Sequence, residues 1–96
     1  MPDYSVQEIR SDLSLLYKTA GHLGGWNKEH ADEFIRVGEY ALALDSVAYA
    51  YLENNIPMAP DQFEIFDKLA AAMELEKDPE YDGVARLRAQ AKAAPF

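Results

Sequence analysis

The sequence predicts an all-α fold, a compact bundle of about five helices with no β-sheet. Apolar residues recur three and four positions apart in several separate stretches, which is the spacing of an amphipathic helix. Glycine and proline interrupt these stretches, and no segment shows sustained apolar–polar alternation or an Asn-Gly hairpin signal. The 96 residues suffice for one modest hydrophobic core, so residues 1–96 are predicted to form a single domain.

Two helices are predicted in the first third of the chain. Ser5 and Glu8 form a capping-box pair, so helix one should begin there and stop at Gly21, in a glycine-rich turn. Asn27 is an N-cap candidate for a short second helix that ends near Gly38. Within helix one, the residues that recur at helical spacing are Val6, Ile9, Leu13, Leu16, Tyr17 and Ala20.

The stretch from Gly38 to Pro57 predicts the central helix, because it is apolar on more than one side. This helix three should run from about Glu39 to Glu53 and close before Pro57, since a residue preceding proline avoids the helical conformation. One flank contains Tyr40, Leu44, Val47, Ala48 and Tyr51, and we expect it in the core. The opposite stripe contains Glu39, Leu42, Ser46, Tyr49 and Glu53.

Proline also marks the predicted starts of the last two helices. Pro60 suits a first helical position, and helix four is expected to pack on helix three. Asp78 and Pro79 are a cap and first-turn pair that should open a last helix. Helix four should bury Phe63, Phe66, Leu69, Ala70 and Met73, and the last helix should turn Tyr81, Val84, Leu87 and Ala91 inward and Arg86, Arg88 and Lys92 outward.

The composition narrows the classes of function. Seventeen acidic against nine basic residues give a net charge of −8, which opposes nonspecific binding to nucleic acid or anionic lipid and favours basic protein partners. The absence of cysteine excludes a disulfide framework and a thiolate metal site. No basic segment followed by an apolar run begins the chain, and no stretch reaches the ~18 apolar residues of a membrane span. We therefore expect a cytoplasmic protein that does not bind membranes.

No residue pattern predicts catalysis, a cofactor or a metal. The serines lie at predicted caps or within helices and lack the glycine context of a nucleophile elbow. His30 lies near Glu29 and Glu33, but no second histidine follows four residues later, so surface charge explains it better than a metal site does. The glycines around His22 lack a phosphate-binding motif. We therefore expect a binding protein and not an enzyme.

The distribution of charge is more informative. From Val37 to Asp67 the chain has no lysine or arginine, whereas Gly83 to Phe96 contains three bases and no acid. Such a field speeds encounter with a basic partner, although an acidic face kept for solubility explains it equally well. The six acids of this base-free segment are Glu39, Asp45, Glu53, Asp61, Glu64 and Asp67.

The outer stripe of helix three also has two interpretations. Aromatic and apolar side chains beside acids are typical of protein interfaces. Alternatively, helix three lies between two layers that bury Leu42 and Tyr49 and leave only the carboxylates in water. Burial suits Leu42 slightly better than Tyr49, because the tyrosine hydroxyl favours a wet edge.

The segment from Ile35 to Leu75 resembles the MafI-family immunity proteins of bacterial polymorphic toxin systems. The similar features begin with the Val37-Gly38-Glu39 turn and the A-L-x-L-A-L-like run at Tyr40–Leu44. They continue with Ile56-Pro57, the acidic-aromatic helix start at Asp61–Phe66 and the closing L-A-A-A-M-x-L at Leu69–Leu75. Members of this family are small acidic helical proteins that protect the toxin-producing cell.

The resemblance implies an antitoxin that binds the toxic C-terminal domain of a cognate effector in interbacterial competition. Many such domains are nucleases with a basic substrate groove, which an acidic surface can occupy without turnover or cofactor. We expect a monomer that forms a heterodimer with its toxin; the alternative is a helical adaptor or self-associating scaffold. The predicted toxin-binding residues are Glu39, Asp45, Tyr49, Glu53, Asn54, Asp61 and Glu64.

Overall fold

A computed structural model describes residues 5–23, 28–75 and 79–93 of the chain. These residues form five α-helices and one short 3₁₀ helix, and they contain no strand. The all-α prediction is therefore confirmed. The helices are α1 (Val6–Ala20), α2 (Lys28–Arg36), α3 (Tyr40–Glu53), α4 (Pro60–Ala72) and α5 (Asp82–Ala93), and the 3₁₀ helix is Pro79–Tyr81.

The predicted ends of α1 are confirmed. The amide of Glu8 donates to the Ser5 hydroxyl at 3.1 Å, and the Glu8 carboxylate accepts from the Ser5 amide at 3.3 Å. This reciprocal pair satisfies donors that an uncapped helix would leave open. At the other end, Gly21 has an ordinary helical φ of −61°, and its amide donates to the Tyr17 carbonyl. The helix therefore stops at Gly21 without using the left-handed conformation that glycine permits.

Helices α2, α3 and α4 end in the same hydrogen-bonded turn. The residue two positions after each helix has a positive φ: 82° at Gly38, 55° at Asn55 and 55° at Glu74. The amide of this residue donates to the carbonyl three residues earlier. The next amide donates to the carbonyl five residues earlier, and the two bonds together form a Schellman motif. The pairs are Gly38 to Ile35 and Glu39 to Phe34, Asn55 to Leu52 and Ile56 to Tyr51, and Glu74 to Ala71 and Leu75 to Ala70.

Helix α3 lies at the centre of the bundle, as predicted, and contacts α1, α2, α4 and α5. The Cα radius of gyration is 12.3 Å, close to the ~12.5 Å of a compact chain of this length. Tyr17 links the first two helices, because its hydroxyl donates to the Ala31 carbonyl at 2.8 Å. The core includes Leu13, Leu16, Ala43, Leu44, Val47, Ala48, Tyr51, Phe66, Leu69, Val84 and Leu87.

The packing of the last two helices differs in part from the prediction. Helix α4 packs on α1 as well as on α3, and the most extensive contact of α3 is with α5. The prediction that Arg88 points outward is wrong, because its side chain is only 16% exposed and turns toward α4. The predicted caps Asn27 and Asp78 lie outside the described residues. Within the described ranges, no helix is both long enough and apolar enough to cross a membrane.

Candidate functional site

The side of α3 that faces away from the core is the stripe that the sequence singled out. We call Glu39, Leu42, Ser46, Tyr49 and Glu53 the α3 stripe. Glu39, Leu42 and Glu53 are exposed, while Ser46 and Tyr49 are partly buried. The Ser46 hydroxyl donates to the Leu42 carbonyl of the preceding turn at 2.9 Å, so it does not project a free polar group. The stripe is therefore open at its ends and around Leu42.

Asp45 lies beside the stripe and caps the start of α5. Its Oδ1 atom accepts from the backbone N–H of Val84 at 3.1 Å, as the side chain of a local N-cap residue would do. Partial burial raises the pKa of Asp45, the hydrogen bonds from the Val84 and Gly83 amides lower it, and the charge of Asp82 raises it further. The carboxylate thus joins two helices and is not directed toward solvent.

Gly83 makes this close approach possible. A Cβ atom at this position would lie 2.7 Å from Oδ1 of Asp45 and 2.8 Å from the ring of Tyr49. Any larger residue would push α5 away from α3, because atoms this close overlap. A glycine in the first turn of a helix is otherwise unfavourable, so it was a signal in the sequence that another element packs against this backbone. Our sequence analysis missed that signal.

Tyr49 of α3 also contacts α5, one turn of α3 after Asp45. Its hydroxyl donates to Oδ1 of Asp82 at 2.5 Å, and the guanidinium of Arg86 lies 6.0 Å from its ring centroid. The hydrogen bond to Asp82 raises the pKa of Tyr49, and burial and the nearby carboxylates add to the rise. The interpretation that Leu42 is the better buried of the two is wrong, because Leu42 is 37% exposed and Tyr49 packs against Gly83.

The six acids of the base-free segment divide into two groups. Asp45 caps α5, and Asp67 accepts from Nε of Arg88 at 2.6 Å, so both have internal partners. The other four are exposed and form no ion pair or side-chain hydrogen bond with the described residues. These are Glu39, Glu53, Asp61 and Glu64.

The seven predicted toxin-binding residues therefore have different surroundings. Asp45 and Tyr49 contact α5, and the Nδ2 atom of Asn54 donates to the Ala50 carbonyl at 2.7 Å. The remaining four, all carboxylates, reach solvent at the two ends of α3 and in the first turns of α4. The structure brings Asp45 and Tyr49 together with Asp82, Gly83 and Arg86, which the sequence analysis did not select. Contact of any of the seven with a toxin stays a prediction.

Exposed apolar side chains accompany the free carboxylates. Val37 is 54% exposed in the turn before α3, Leu42 is 37% exposed within it, and Ile56 is 41% exposed in the turn after it. In the related turn after α4, the residue equivalent to Ile56 is Leu75, which is only 3% exposed. Apolar contact with the helix often accompanies such a turn, so the exposure of Ile56 is a departure from the usual packing.

Other candidate sites are weaker. His22 and His30 are exposed, and no group of three possible metal ligands is found among residues 5–23, 28–75 and 79–93. An open depression on α1 is lined by Val6, Gln7, Arg10, Ser11 and Ser14, all from one helix face. The Ser14 hydroxyl donates to the Arg10 carbonyl, so it is not poised as a nucleophile there.

Comparison with protein families, with curated proteins and with solved structures gives no match for this chain. The resemblance to MafI-family immunity proteins therefore rests on the features between Ile35 and Leu75 and stays a prediction.

Proposed function

We propose that this protein is an immunity protein that binds the toxic domain of a cognate bacterial effector and neutralises it through an acidic surface. The observation that carries the proposal is the set of four exposed carboxylates at the two ends of α3 and the start of α4. None of them pairs with a described residue, and Leu42 on α3 is exposed as well. A surface of unpaired acids and apolar groups suits a basic protein partner, because charge steers the encounter and apolar contact stabilises the complex. The resemblance to the immunity family supports the same conclusion.

A nuclease is the partner class that this surface fits best. Its substrate groove must be basic to hold a phosphate backbone, and carboxylates can occupy the place of the phosphates. Inhibition of this kind needs no catalytic step by the protein, only a surface whose charge is opposite to that of the groove. Association should therefore be fast at low salt and slower as salt screens the charges.

The direct test is coexpression with the C-terminal domain of the protein encoded immediately upstream of the gene, which the proposal expects to be toxic. We expect the protein to restore growth of cells that produce this domain, and the purified pair to form a complex with no nuclease activity. A matched control is the same toxic domain coexpressed with an unrelated acidic protein of similar size, which should not protect. Persistent toxicity in cells that contain the folded protein would refute the proposal.

A self-associating scaffold is the second candidate, because Leu15 on α1 is 46% exposed. A symmetric dimer through the α3 stripe is disfavoured, since it would bring together Glu39 and Glu53 of both copies. Sedimentation equilibrium of the protein alone decides between the candidates: an immunity protein should be monomeric, and a stable dimer favours the scaffold.

A further inference from the structure

We propose that the partner docks lengthwise on the α3 stripe, with Leu42 inserted in an apolar pocket and with cationic groups at Glu39 and Glu53. The proposal rests on the immunity function and adds the docking face and the order of contacts along it. The occupant is a basic protein surface. Three properties of the stripe support this docking mode, namely its length, its charge and the helix that lies beside it.

The shape of the stripe follows from helix geometry. Glu39 and Glu53 are fourteen positions apart, which at ~1.5 Å per residue places them about 21 Å apart along the axis. Leu42 lies one turn from Glu39, so the apolar contact is off-centre, near the first of the two acids. A partner that reaches both carboxylates must therefore lie along α3 and not across it.

The charge of the stripe selects the sign of the partner. Neither Glu39 nor Glu53 is paired with a described residue, and no lysine or arginine occurs between Val37 and Asp67. Leu42 lies between these two carboxylates and is 37% exposed. A cationic surface with an apolar pocket compensates both features at once, because the pocket covers the leucine and the cations pair with the acids.

Helix α5 sets one border of the stripe. Arg86, whose side chain is 59% exposed, stands over the Tyr49 ring at this border. Asp82 already pairs with Arg86 at 4.0 Å and accepts from Tyr49, so this border offers no free carboxylate to a basic partner. The closest approach should therefore occur toward Leu42 and Glu39, away from Arg86. We therefore expect the partner to make its main contact with the first turn of α3 and to touch Tyr49 only at the edge of the interface.

The size of the stripe shows that the flanking turns must contribute. A strip about 21 Å long and ~10 Å wide covers roughly 200 Å², whereas one side of a standard interface buries about 800 Å². The turns at the two ends of α3 carry the exposed side chains of Val37 and Ile56. They directly precede and follow α3 in the chain, so a partner that lies along the whole helix can also reach them.

The test uses binding kinetics with the catalytically inactivated toxic domain encoded upstream. Leu42→Asp should weaken binding by roughly 30-fold or more, as expected for an anchor residue. Its matched control is Leu15→Asp, a similarly exposed leucine on α1. The control should change the Kd by less than about threefold, because it lies outside the proposed interface.

A second experiment reverses the charges of the stripe, because Leu42→Asp alone could perturb folding. Glu39→Lys with Glu53→Lys should lower the association rate by roughly tenfold at low salt, and high salt should reduce the difference. The control pair, Glu29→Lys with Glu74→Lys, has the same net charge change at exposed positions off the stripe. It should slow association much less. Circular dichroism checks that each variant is folded.

The outcomes separate this inference from the proposed function. If the wild-type protein binds and neutralises the domain but the control variants weaken binding as much as the stripe variants, the docking face is elsewhere and only this inference fails. If the wild-type protein does not bind the domain, both proposals fail. Selective loss in the stripe variants supports both.

Discussion

Asp45 of α3 and Val84 of α5 are joined by a hydrogen bond of 3.1 Å, in which the Val84 amide donates to the carboxylate. The start of α5 is thus capped by a residue 39 positions earlier in the chain. This bond, together with that between Tyr49 and Asp82, fixes the position of α5 on the central helix. It also explains why Asp45 differs from the other four acids predicted to bind a toxin, which have no such partner among the described residues.

Removal of the remote cap should destabilise the fold. We expect Asp45→Ala to lower the free energy of unfolding by about 1 kcal/mol, the usual loss for an N-cap residue. Asp45→Asn keeps an acceptor oxygen in the same place, so its loss should be smaller. Urea unfolding monitored by circular dichroism measures both. Equal losses in the two variants would contradict the capping role.

The pH dependence of Asp45 has a definite sign. Its pKa in the folded protein is raised above the ordinary value of 3.8, mainly by partial burial, so ionisation opposes folding. The stabilising contribution is complete below pH 3.8 and is lost as the pH rises through the folded-state pKa. Asp45→Asn does not ionise, so its stability relative to the wild type should increase from acidic to neutral pH. Unfolding experiments from acidic to neutral pH measure the difference in free energy of unfolding between Asp45→Asn and the wild type. A difference that does not change with pH would show that the pKa is not raised.

Gly83 should not tolerate a side chain. Gly83→Ala would place Cβ at 2.8 Å from the Tyr49 ring, and the overlap should cost more than the ~1 kcal/mol gained in helix propensity. We expect a net loss of stability of about 1–2 kcal/mol. In a Tyr49→Ala background the same change should cost less, since the ring is absent. A double-mutant cycle in urea measures this coupling, and a coupling near zero would argue against the contact.

Glu74 offers a stabilising substitution. Its φ of 55° is unfavourable for a residue with a side chain, whereas glycine adopts it freely. Relief of this strain exceeds the entropy that glycine adds to the unfolded chain, so Glu74→Gly should gain roughly 0.5–1 kcal/mol. Asn55→Gly, with the same φ, is the control and should gain less, because asparagine tolerates this conformation. Thermal unfolding compares the two; a loss at Glu74 would refute the argument.

Arg86 should slow the association with a basic toxin. It places a cation at the border of the α3 stripe, so Arg86→Gln should raise the association rate about two- to threefold at low salt. Arg10→Gln on α1 removes the same charge at an exposed position away from the stripe and should have a smaller effect. Stopped-flow measurements at two salt concentrations test this. An unchanged or slower rate for Arg86→Gln would oppose docking beside α5.

Local signals in the sequence predicted most of the fold. The Ser5–Glu8 pair, the proline at the start of α4 and the apolar spacing of α3 each depend on residues close in the chain. The inward positions of Val84 and Leu87 on α5 were predicted correctly, but the polar partners of this helix were not, because they lie on other helices. Arg88 was therefore placed in solvent, although it pairs with Asp67. The pairing of Asp45 with Val84 needs the tertiary arrangement and has no local signature.

The same limit applies to the candidate site. Charge counting along the chain found all six acids between Val37 and Asp67, but it could not show which had internal partners. Which of these acids are exposed and which are paired depends on how α5 packs on α3 and α4. The outer side of α3 could be singled out from the sequence alone. Two residues predicted there to bind a toxin, Asp45 and Tyr49, instead have hydrogen-bond partners on α5.

Glu39 contributes its main chain to two helices and its side chain to neither. Its amide closes the turn after α2 at 2.7 Å from the Phe34 carbonyl, and its own carbonyl accepts the first bond of α3 from Ala43 at 3.0 Å. Neither bond depends on which side chain stands there. The position can therefore accept other side chains while the turn after α2 and the start of α3 keep both bonds.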